Sequence, residues 1–140
     1  MRRSEAPLPL PTDTELAILG VLWKHGPSTV RQVAAQLESG RAVAYTTVLK
    51  MLQIMHQKGL VDRDERQRNH VYAAVAPPER TQASLIESLT TRAFGGSTAR
   101  LVMRALDATR ATKEERGQIR ALLDRLDTDE PGEESDERDA

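Results

Sequence analysis

The sequence predicts a mainly α fold with one small β-hairpin, and three observations predict it. Apolar residues recur at three-to-four spacing in six separate segments, as helices with one buried face require. Two short runs, Leu60 to Arg63 and His70 to Val75, have strand-like composition and flank the hydrophilic tip Asp64-Glu65-Arg66-Gln67-Arg68-Asn69. After Pro77-Pro78 no β-branched alternation returns, so the rest of the chain reads as helix.

The first helix is expected over Thr12 to His25. Thr12 stands three residues before Glu15, the spacing of a capping box in which each side chain satisfies the other's free backbone N–H. Leu16, Leu19, Leu22 and Trp23 supply the buried face, and Gly26-Pro27 ends the run. The second helix, Ser28 to Leu37, takes Ser28 or Thr29 as N-cap and turns Val30, Val33, Ala34 and Leu37 inward. A polar linker, Glu38 to Arg41, leads to a third helix, Ala44 to Lys58, closed by Gly59 where a left-handed residue is usually needed. At about 100° per residue, Val48, Leu52 and Met55 cluster on one side of it. Thr46, Lys50, Gln53 and Gln57 fall opposite, with Thr47 and Ile54 at the edge of that face.

Leu85, Ile86 and Leu89 mark a fourth helix, and Leu101, Val102, Ala105 and Leu106 a fifth after Gly95-Gly96-Ser97. Ile119, Leu122, Leu123 and Leu126 mark a sixth, opened by a second capping box from Thr112 to Glu115. About fifty residues in three amphipathic helices make a thin core alone. The stripe of Leu85, Leu89, Leu101, Val102, Leu106, Ile119, Leu122, Leu123 and Leu126 is therefore expected to close on a second copy of the chain; the other reading folds these helices back on the first domain. The expected organisation is a flexible arm over 1–11, a first domain over 12–76, a helical dimerisation domain over 77–126 and a disordered acidic tail over 127–140.

Composition narrows the chemistry. The chain has 140 residues and no cysteine, which excludes a disulfide framework, a thiolate metal site and a Cys nucleophile, and fits a reducing cytoplasm. No apolar run approaches the roughly 20 residues that span a bilayer. Arg2 and Arg3 are not followed by the apolar stretch of a secretory signal, so the expected location is cytoplasmic, with no membrane partner. The net charge of −1 hides an asymmetry: residues 127–140 hold eight acidic residues against one Arg, which leaves +6 on Met1 to Leu126. Such a tail cannot offset the entropy of ordering, and the mildly basic body permits an anionic partner.

His25, His56 and His70 lie far apart, and none has a second His or a carboxylate at helical metal-site spacing. The sequence lacks G-x-S-x-G, a P-loop and H-E-x-x-H. No enzyme, metal or cofactor is expected. What remains is three helices followed by a hairpin, the order of a winged helix-turn-helix, which lays one helix in the major groove of DNA. Some winged helices bind proteins instead, so the exposed side chains decide. Thr46, Thr47, Lys50, Gln53 and Gln57 are hydrogen-bonding groups of a length that reaches base edges or phosphates, and no Asp or Glu occurs from Gly40 to Lys58. Ile54 would press on a thymine methyl or pack under the hairpin. Thr29 and Arg31, at the start of the second helix, suit a phosphate, and Arg66 and Arg68 at the hairpin tip suit the DNA backbone or the minor groove.

Several short motifs point the same way. They are Thr14-Glu15-Leu16 and Val21-Leu22-Trp23, Thr29-Val30-Arg31-Gln32-Val33, Ala44-Tyr45-Thr46-Thr47-Val48, Lys58-Gly59-Leu60-Val61 and Val71-Tyr72. Together they resemble the penicillinase repressors of the BlaI, MecI and CopY type over about residues 12–126. The resemblance implies a dimeric repressor with a winged helix on an inverted-repeat operator of double-stranded DNA and a C-terminal helical dimerisation domain. It places base contacts at the opening of the third helix, Ala44 and Tyr45 included, on Thr46, Thr47 and Lys50, and the wing's basic residue on Arg68. Copper-responsive members sense metal through C-terminal cysteines, which this chain lacks. In penicillin-responsive members a sensor protease cuts an Asn-Phe bond in the fifth helix. The matching place here is Arg104-Ala105, so a regulatory protease stays a candidate partner only with another preference. Two alternatives stay open, a winged-helix protein-interaction module and a DNA-binding sensor of a small ligand. The acidic tail either competes with DNA for the basic wing or only solubilises.

Overall fold

Thr12 opens the first element by satisfying backbone groups that a helix leaves free. Glu15 N–H donates to Thr12 Oγ1 at 3.2 Å and Thr12 N–H donates to Glu15 Oε1 at 2.9 Å, completing the capping box before helix α1 (Asp13–His25). The computed structural model describes residues 9–37 and 43–129. The first eight residues of the expected arm, the linker over 38–42 and positions 130–140 of the tail lie outside the described residues.

Thr29 is the N-cap of α2 (Val30–Gln36), and with Gln32 it forms a second reciprocal capping box. A cap residue must be extended rather than helical. Ser28 and Thr29, the two expected candidates for this cap, accordingly form a two-residue strand, β1 (Ser28–Thr29), and Thr29 is the cap. After α3 (Tyr45–Lys58) come β2 (Val61–Asp64) and β3 (Val71–Ala74). The three strands form an antiparallel sheet in the order β1-β3-β2, with Ser28 opposite Tyr72, Thr29 opposite Val71 and Arg63 opposite Tyr72. Gly59 ends α3 in the left-handed conformation, with φ 85° and ψ 14°, which turns the chain into β2.

Three helices and this sheet make a winged helix. Its core is Ile18, Leu19 and Leu22 from α1, Val30 and Val33 from α2, and Val48, Leu52 and Met55 from α3, closed by Leu60, Val61 and Tyr72. Trp23 Nε1 donates to the Ala76 carbonyl at 2.9 Å and so fixes the end of α1 to the chain leaving β3. Glu15 has a second role: buried, it accepts from Lys58 Nζ at 2.8 Å and joins the start of α1 to the end of α3. Burial pushes the Glu15 carboxyl up, but the Lys58 hydrogen bond, the Thr12 backbone N–H and the Lys58 charge outweigh it and hold the group below 4.5.

The remaining helices are α4 (Pro78–Ala93), α5 (Thr98–Thr109) and α6 (Lys113–Asp129). Ser97 caps α5 through the Arg100 N–H at 3.1 Å, and Thr112 and Glu115 form the expected capping box before α6. The tail is expected to begin at Asp127, yet α6 continues through Asp129. The Thr128 hydroxyl donates to the Asp124 carbonyl at 3.0 Å within this polar, solvated last turn. The chain divides into two compact units, 1–92 and 93–140. That division falls after α4, one helix later than the boundary expected at 76/77.

Candidate nucleic-acid interface

The 3.6-residue repeat gives α3 two opposite faces. Val48, Leu52 and Met55 are essentially inaccessible, while Thr46, Thr47, Lys50, Gln53 and Gln57 are exposed. Ile54 is exposed at 37%, so it stands at the edge of the outer face rather than beneath the hairpin. Ala44, the N-cap, offers no side-chain hydrogen bond to the helix start, and no acidic residue occupies the first turn. The first turn of α3 therefore supplies no anion of its own to the positive end of the helix dipole.

Between the start of α2, the outer side of α3 and the hairpin lies an open groove of about 360 Å³. Thr29, Arg31, Tyr45, Gln53 and Arg68, all expected at the site, line it together. The Arg31 guanidinium carbon sits 5.8 Å from the centre of the Tyr45 ring, within cation–π range, so the aromatic face orients a charge that otherwise swings freely. The Thr29 oxygen already accepts from Gln32 N–H at 3.2 Å, which leaves its hydroxyl hydrogen to donate outward. Thr46, Thr47 and Lys50 stand exposed on α3 without lining the groove.

The hairpin tip is less uniform than its four positions Arg63, Arg66, Arg68 and His70 suggest. Arg63 Nε pairs with Glu65 Oε2 at 2.7 Å. Arg66 Nη2 donates to Asp64 Oδ2 at 2.7 Å and its Nε to Asp64 Oδ1 at 3.0 Å, a two-pronged grip, while the Arg66 backbone N–H also donates to Asp64 Oδ1 at 3.0 Å. The Arg66 side-chain and backbone hydrogen bonds hold the Asp64 carboxyl down to about 2. Among the described residues Arg68 has no ion-pair partner.

Arg63, Asn69 and His70 also line the groove and are absent from the sequence-based set. Their signal was β1: Thr29 pairs with Val71 and Arg63 lies across from Tyr72, so the sheet carries the hairpin to the start of α2. A two-residue strand has no periodicity to reveal that. Among the described residues, no group of three or more His, Asp or Glu could hold a metal ion, and no helix is long and apolar enough to cross a membrane.

On the second part of the chain, Ile86, Leu89, Val102, Leu106, Leu122, Leu123 and Leu126 are exposed, Leu85 and Ile119 are half-buried, and Leu101 is buried within the chain. The expected dimerisation stripe is thus wholly or partly open except at Leu101.

A family model described as penicillinase repressor matches residues 11–125. A transcriptional regulator BlaI of Mycobacterium tuberculosis (strain CDC 1551 / Oshkosh) is 40% identical over 75 residues, 53% of this chain and 54% of that protein. The same figures hold for the protein of strain ATCC 25618 / H37Rv. The chain spans about half the length of the curated relatives it matches. Among solved structures, the monomeric form of Bacillus licheniformis BlaI in complex with the blaP half-operator is 25% identical, with a TM-score of 0.45 over 52% of this chain and 89% of that one. YusO from Bacillus subtilis is 20% identical, with a TM-score of 0.49 over 85% of this chain and 76% of that one.

Proposed function

The chain belongs to the penicillinase repressor family, and we propose that it is a sequence-specific DNA-binding transcriptional repressor, acting as a homodimer on an inverted-repeat operator, and not an enzyme. The observation that carries this reading is the outer face of α3, exposed, free of acidic residues and continuous with a groove lined by Arg31 and Arg68. In the major groove, Thr46, Thr47 and Lys50 read base edges, and Gln53 reaches a base or the adjoining backbone. Ala44 and Tyr45 bring the uncapped start of α3 to a phosphate, Thr29 and Arg31 hold a second, and Arg68 follows the backbone from the wing.

The dimer is proposed to form through the exposed apolar residues of α4, α5 and α6. Its two-fold axis then sets two copies of α3 on half-sites about one helical turn apart, roughly 10 bp, or a multiple of it. A protease acting at Arg104-Ala105 would meet the interior of α5, so cutting there requires that helix to open first.

Selection from a pool of random duplexes, followed by band-shift titration over a salt series, tests the function. An enriched inverted repeat is expected. Lys50→Ala should weaken binding to that repeat by about 1–3 kcal/mol and to mixed-sequence DNA far less. Equal losses on both would remove Lys50 as a base reader. No enriched sequence and no binding tighter than about micromolar at low salt would transfer the α3 face to a protein partner.

A further inference from the structure

The hairpin tip from Arg63 to His70 carries three arginines, Arg63, Arg66 and Arg68, against two carboxylates, Asp64 and Glu65. The geometry sorts these charges rather than averaging them. Glu65 takes Arg63 and Asp64 takes Arg66, and Arg68 is left over. Arg66 and Asp64 do not line the groove, whereas Arg68 does, alongside Thr29 and Arg31.

We propose that Asp64 reserves Arg66 from DNA, so that Arg68 is the cation with which the wing holds a backbone phosphate. The proposal rests on reading the groove as a DNA interface. Asp64 is a positioning residue here: it touches no nucleic acid and acts through the arginine it holds. Its carboxylate accepts four hydrogen bonds from one residue, three from the guanidinium and one from the Arg66 backbone N–H. The backbone bond is the side-chain-to-chain turn that Asp favours at a loop tip, so the grip forms from neighbouring residues at little cost in entropy.

Two routes would take Arg66 to a phosphate. If the guanidinium leaves Asp64, an unmatched carboxylate is stranded beside a polyanion. If the pair moves together, the charge delivered is zero. Counterions leave DNA in proportion to the net positive charge that replaces them, so neither route adds to the salt dependence of binding. Arg68 brings an unopposed charge and does add to it.

The test is the salt slope, the change of log affinity with log salt, on a mixed-sequence DNA duplex between about 50 and 200 mM salt. Arg68→Ala should flatten the slope by about 0.9 for each wing that reaches DNA, roughly a threefold smaller loss of affinity across that fourfold range. Asp64→Asn keeps the shape of the side chain and removes its charge, so it should steepen the slope by a similar amount, and the double variant Asp64→Asn, Arg66→Ala should return it to the wild-type value. A merely structural Asp64 predicts no steepening and no reversal. A double variant whose slope falls below the wild-type value, or a slope indifferent to Asp64→Asn, overturns the proposal while leaving DNA binding intact. A wild-type chain with no measurable affinity at the lowest salt removes the functional reading and this inference with it.

Discussion

In the first unit the apolar faces of α1, α2 and α3 meet one another and a sheet; in the second, α5 and α6 carry leucines of the same spacing that meet much less. Ile18, Val33, Leu52 and Met55 are 0% exposed, whereas Leu122, Leu123 and Leu126 are exposed at 43%, 55% and 53%. No residue of α6 is buried. Periodicity alone therefore says that a face will be covered, not by what. The winged unit covers its own faces because three helices and a sheet share one core, an arrangement that two helices cannot make.

The largest effect that separates the regions is a pair of truncations. Leu52→Ala should lower unfolding free energy by about 2–5 kcal/mol at any protein concentration, measured by urea denaturation. Leu123→Ala should leave the unfolding of a dilute chain nearly unchanged and instead weaken self-association, by about 1.5–3 kcal/mol if a second copy fully covers it. Sedimentation over a concentration series reads the second number. A Leu123→Ala chain that associates as strongly as wild type would break the comparison, and the proposed dimer would have to use another face.

Next in size is the link between Glu15 and Lys58, which ties the winged unit's first helix to its third. Lys58→Met leaves a buried carboxylate without its cation, at a cost of about 1–3 kcal/mol near neutral pH. The sign with pH follows from the direction of the shift. Glu15 titrates below 4.5 in the folded chain, so its contribution is present above that value and lost as pH falls through the lowered one. Without Lys58, only the Thr12 hydrogen bonds oppose burial and the carboxyl's pKa rises, so the variant's deficit should shrink on acidification. Urea melts of both chains at neutral pH and well below pH 4.5 check this. A deficit that holds constant would mean that Lys58 acts by packing of its stem alone.

These two regions also differ in how much of them the sequence discloses. Helix starts are legible where a local rule governs them: Thr12 with Glu15, Thr112 with Glu115, and Gly59 as a left-handed stop. The outward side of α3 is legible because the same repeat that buries Val48, Leu52 and Met55 exposes Thr46, Lys50 and Gln53. Contacts between distant residues are not. Glu15 and Lys58 are 43 positions apart, and the capping role of Glu15 accounts for its presence without them. β1 is two residues long and exists through its pairing with β3. At the wing, composition reads Asp64 and Glu65 as dilution of a basic tip, and only geometry shows which arginine each one takes. The far end of α6 outruns its expected limit for a related reason: acidic residues weaken the case for packing, but a solvated helix needs none.

The smallest effects come from the same substitution made once in each region, and they should have opposite signs. Gly59 has a φ of 85° at the end of α3, and no atom lies within 4 Å of where a side-chain methyl would sit, so Gly59→Ala meets backbone strain and no clash. The expected loss is roughly 1–2 kcal/mol. Gly117 lies inside α6 and also has open space around it. There Ala restricts the unfolded chain and suits the helix, so Gly117→Ala should gain about 0.5–1 kcal/mol. Thermal melts at low concentration give both signs. The second substitution also probes the covered state. If a neighbouring copy brings its backbone against α6 at this point, the added methyl would hinder it, and Gly117→Ala would stabilise the dilute chain while weakening association. Stabilisation with unchanged association would place Gly117 on the solvent side of the proposed dimer, opposite Leu122, Leu123 and Leu126.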